Sequence, residues 1–146
     1  MGAALIPFAR ALAAGLIGTA LATGVHFMTL TSGVARGLIG SGQGLPQTPG
    51  LPLTAGGLAL ECLIAALPVL PVVALTVFAG RFLMSLGFLA TWAWGGARLG
   101  TLIAAASGRT LGWGDGFSLV YSSGMFSLIA ALTAAFVLWI LAPRPL

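Results

Sequence analysis

The chain has 146 residues, 59% hydrophobic and 5% charged, where an ordinary soluble domain carries about 25% charged residues. With a mean hydropathy of +1.11, that balance excludes a soluble domain and predicts an all-α integral membrane protein. The net charge of +4 comes from six arginines against Glu61 and Asp115, too few and too scattered for a nucleic-acid surface or a polybasic lipid-binding cluster.

Four apolar stretches, each long enough for a hydrocarbon core of about 30 Å, fill most of the length. They predict a single transmembrane domain over 1–146, with helices at about 5–30, 57–79, 82–106 and 117–141. The first could be a secretory signal, with Arg10, an apolar run and Ala20-Leu21-Ala22 as a cleavage site. It stays apolar through Val25, Phe27 and Met28, so it reads as an uncleaved helix. Ala14, Gly18 and Ala22 recur every fourth residue between Arg10 and His26, and Ala11, Gly15, Thr19 and Thr23 form a parallel row. Small residues at this spacing let helix backbones approach closely in lipid. Leu12, Leu16 and Leu21 are left to face lipid or fill gaps.

Residues 32–56 form the long loop. Pro46, Pro49 and Pro52 would align on one side of a polyproline II segment, as a partner-recognition motif does, but the favoured reading is an extended linker that cannot become a helix. The second helix contains Pro68 and Pro71, each of which removes a backbone donor and crowds the preceding turn. A kink is expected there, either a packing feature or a hinge.

A tight Ala79-Gly80-Arg81 turn joins this helix to the third, making a central antiparallel hairpin over 58–106. Gly96, Gly100, Ala104 and Gly108 continue the every-fourth-residue pattern and mark a second helix-contact face, alongside Gly18 and Ala22 of the first helix. Trp113 and Trp139 sit where interfacial anchors belong, while Trp92 and Trp94 lie deeper and are expected to pack against neighbours. Asp115 is placed to cap the fourth helix, and Pro143-Arg144-Pro145 follows it.

Depth along the hairpin locates the polar groups. Antiparallel positions at equal depth have numbers summing to about 161, and Glu61 and Arg98 sum to 159, about 25–30 Å from the turn at a rise of about 1.5 Å per residue. His26 and Tyr121 fall on the same side, so four helices contribute to one shallow layer. In one reading Glu61 and Arg98 form a structural ion pair that fixes register. In the other, ionisable groups within a membrane form a site: a proton path, a quinone headgroup, or an anion held by Arg98.

Ala22-Thr23-Gly24-Val25-His26 matches an A-x-x-x-H pattern and resembles, over five residues, the pigment-ligand turn of light-harvesting antenna polypeptides. The resemblance implies that His26 would ligate a bacteriochlorophyll. Gly108 to Phe117 resembles the loop before the last helices of bacterial Yip1-like membrane proteins, and nothing is carried over from those ten residues. Cys62 stands alone, which excludes an internal disulfide and a multi-thiolate metal site. Without a second histidine or base beside it, no nucleophile is expected either.

The function expected is a non-catalytic accessory or assembly subunit of a larger membrane complex. A small transporter or channel subunit is the alternative, with Glu61 and Arg98 lining its pathway and Pro68 and Pro71 as hinge. A pigment- or quinone-binding subunit using His26 and Tyr121 is the third. No catalytic residue, metal or resident cofactor is predicted, beyond a bacteriochlorophyll or quinone contact through His26. The expected partners are the lipid bilayer and other membrane subunits or further copies of the chain. Abundant Ala, Gly, Leu and Arg without lysine or asparagine point to a GC-rich bacterial source, hence a multi-pass inner-membrane protein. Arg10, Arg81 and Arg144 lie on one side and Arg36, Arg98 and Arg109 on the other. With Arg98 tied to Glu61, the positive-inside rule puts both termini in the cytoplasm.

Overall fold

The computed structural model describes the backbone of residues 2–31, 55–106 and 125–143, and side chains within 5–31, 56–102 and 127–143. All secondary structure among these residues is helical. Helix α1 runs Gly2–Thr31, α2 Ala55–Ala66, α3 Val69–Thr76, α4 Arg81–Ala106 and α5 Met125–Leu141, with a 3₁₀ turn at Val77–Ala79. Two segments are long and apolar enough to cross a membrane, Leu5–Thr31 and Gly56–Ala79; Ser127–Leu141 is a shorter apolar helix. The expected loop at 32–56 and the start of the last helix at 117 fall largely outside the described residues, as do Trp113 and Asp115.

The expected second helix is divided. Pro68 has no N–H for the Ile64 carbonyl, and Pro71 has none for that of Leu67. Both oxygens are recovered by tighter bonds: Leu67 N–H donates to Ile64 O at 3.3 Å, and Leu70 N–H to Leu67 O at 3.1 Å. The chain thus passes from α2 to α3 through a turn at Leu67 and Pro68, with no freed carbonyl left at these two positions.

Gly80 makes the turn into α4 with φ 114° and ψ 157°, a region that essentially only glycine occupies. Gly80→Ala is expected to lower stability by about 1–3 kcal/mol, read as an earlier unfolding midpoint in a detergent titration followed by circular dichroism.

Helix α1 lies against α2, α3, α4 and α5, and α4 against α2, α3 and α5. Small residues make these approaches possible. A methyl built on Gly15 would lie 2.7 Å from the Leu70 carbonyl oxygen, and one on Gly18 3.1 Å from a Val69 methyl. Both α1 rows predicted from spacing therefore meet the proline-interrupted segment, with Ala14, Gly18 and Ala22 buried. On α4, a methyl at Gly87 would lie 2.9 Å from Val72 and one at Gly95 2.5 Å from the Ala65 oxygen.

The interior is built mainly of small and β-branched side chains: Ala14, Ala22, Ala65, Ala66, Val69, Val73, Ala131 and Ala134. Larger members, Met84, Phe88, Trp92 and Leu138, fill the spaces between helices. Large apolar side chains point outward from every helix: Phe8 and Leu16 from α1, Leu60 from α2, Leu75 from α3, Phe82 and Leu86 from α4, Ile129 and Phe136 from α5.

Candidate functional site: the polar layer

His26 is the centre of the layer. It occupies the second-last turn of α1 with 0% exposure, and its ring stacks on Trp92 of α4 with centroids 6.4 Å apart and planes 13° from parallel. A methyl built on Gly95 would come within 2.9 Å of His26 Nε2 as well as reaching the Ala65 oxygen. Three helices therefore meet at one point, with the imidazole edge and a backbone carbonyl sharing the space that a glycine on α4 leaves. Trp92 packs inward as expected. Trp94 does not: two residues on, a rotation of about 200°, it is 43% exposed.

Glu61 lies one turn before Ala65 on α2 and is half-buried. Its Oε2 is enclosed and, among the described residues, receives no hydrogen bond from Arg98 or from any other donor. Arg98 is also half-buried, and its backbone oxygen accepts a bond from Thr101 Oγ1 at 2.8 Å. Equal depth is what their numbers predict; among the described residues no neutralising contact is made at this oxygen. Tyr121 lies outside the described residues. Cys62 is fully buried.

Most other hydroxyls in the helices are bonded locally. Thr19, Thr23, Thr29, Thr76, Thr91 and Thr133 each donate to the carbonyl four residues earlier, at 2.7–2.8 Å. This back-bonding is how a threonine remains satisfied where no water is available. Ser85 Oγ, like Glu61 Oε2, is enclosed without a hydrogen-bond partner. Among the described residues no three His, Cys, Asp or Glu side chains gather as metal ligands.

Of the residues singled out from sequence, Gly96 and Gly100 are buried, and Ala104 falls in the last turn of α4, outside the described side chains. Pro68 and Pro71 interrupt the helix as described. Sequence reasoning missed the close approaches at Gly87 and Gly95, with Thr91 between them in the same row, and the stacking of His26 on Trp92. The row was readable as another four-residue spacing one position out of step with Gly96 and Gly100.

No protein family, curated protein or solved structure matches this chain.

Proposed function

We propose that the chain is an integral membrane bundle, built on a central antiparallel hairpin of α2–α3 and α4, that serves as a non-catalytic assembly subunit of a larger membrane complex. The observation that carries the membrane reading is the inverted distribution of side-chain size. Alanine and glycine fill contacts that leucine would fill in a soluble core, while Leu5, Phe8, Leu75, Phe82, Phe136 and Ile140 are more than half exposed. A soluble monomer does not present large apolar side chains from all its helices. In lipid that surface costs nothing, and close backbone packing between helices supplies the stability. The hairpin reading draws on Gly87 facing Val72 and Thr76, and Gly95 facing Ala65, pairs whose numbers sum to about 160, as an antiparallel register at a rise of about 1.5 Å per residue requires.

The subunit reading follows from what the side chains offer. The threonine hydroxyls are bonded to their own helices, Cys62 is enclosed, and His26 is covered by Trp92 and faces Gly95. An imidazole with no exposure, its Nε2 set against Gly95, leaves no room for a macrocycle's metal at that nitrogen, which disfavours the pigment reading. Location in a bacterial inner membrane with both termini cytoplasmic belongs to the same proposal, on the arginine distribution given above.

The test is extraction from native membranes. The protein is expected to stay in the membrane pellet through an alkaline carbonate wash, then to migrate in mild detergent with a stable set of larger partners. Migration alone, as a monomer or homo-oligomer, would remove the subunit reading and leave the small-transporter alternative. That alternative is supported by the undonated Glu61 oxygen. It predicts that Glu61→Gln and Arg98→Gln each abolish flux while insertion is retained.

A further inference from the structure

We draw no further inference here: the strongest candidate, the surface patch of α1 where Ala20 and Gly24 lie exposed one turn apart and a methyl on Gly24 would meet nothing within 4 Å, is a small-residue stripe, and nothing in the structure shows what covers it.

Discussion

Gly95→Ala is expected to be among the most damaging single-methyl changes in the described helices. The new carbon would stand 2.5 Å from the Ala65 carbonyl oxygen and 2.9 Å from His26 Nε2, closer than non-bonded atoms approach. The first of these is backbone, held by α2, so relief requires α4 to move away from α2 and α1 together. Overpacking a tight site costs about 1–3 kcal/mol, occasionally more, and the upper end applies where backbone must shift. The comparison is Gly24→Ala, whose methyl would meet nothing within 4 Å. That change is expected to be neutral or to stabilise by a few tenths of a kcal/mol, in line with alanine's advantage in helices, up to about 1 kcal/mol. Unfolding of both variants by a denaturing detergent, followed by helical circular dichroism, separates steric cost from mere loss of a glycine. Equal midpoints for the two would defeat the account.

Trp92→Ala is expected to cost about 3 kcal/mol, the lower end for a large buried aromatic. Trp92 is 3% exposed and covers His26. Its removal leaves a cavity between α1 and α4 and uncovers the ring of the one histidine in the chain. On the membrane reading proposed above the lower end applies, because lipid is as apolar as the interior, so the transfer part of the usual cost largely disappears and the lost packing remains. Trp94→Ala, at a 43% exposed position, is expected to shift the same unfolding midpoint by less than about 0.5 kcal/mol, as for surface substitutions. Fluorescence adds a second reading. Loss of Trp94 should remove emission that a brominated lipid quenches, and loss of Trp92 should not.

The second comparison turns on two residues of one helix only two positions apart, which is also where the sequence stops being informative. The turn at Gly80, the interruption near Pro68 and the presence of small-residue contact faces all follow from local rules. Only glycine occupies the Gly80 conformation, and proline cannot complete a helical turn. Depth is equally local, because each helical residue advances by the same rise. Hence Glu61 and Arg98 could be set at one level from their numbers alone.

Azimuth is different. Each residue turns the helix by about 100°, and which side faces a neighbour depends on all the contacts made at once. Gly95 and Gly96 are both small and both buried, and nothing in their order reveals that the Gly95 row seats on Ala65 and Val72. In the same way, equal depth did not bring a donor to Glu61 Oε2, because depth leaves rotation about the helix axis free. The sequence by itself determined the all-helical class, the apolar segments, the turn at Gly80 and the interruption near Pro68. The tertiary structure alone decided which faces meet, that His26 is enclosed by Trp92 and Gly95, and that a carboxylate oxygen on α2 is left without a donor among the described residues. The physical reason is that rise along a helix is fixed by covalent geometry, whereas rotation about it is fixed only by packing.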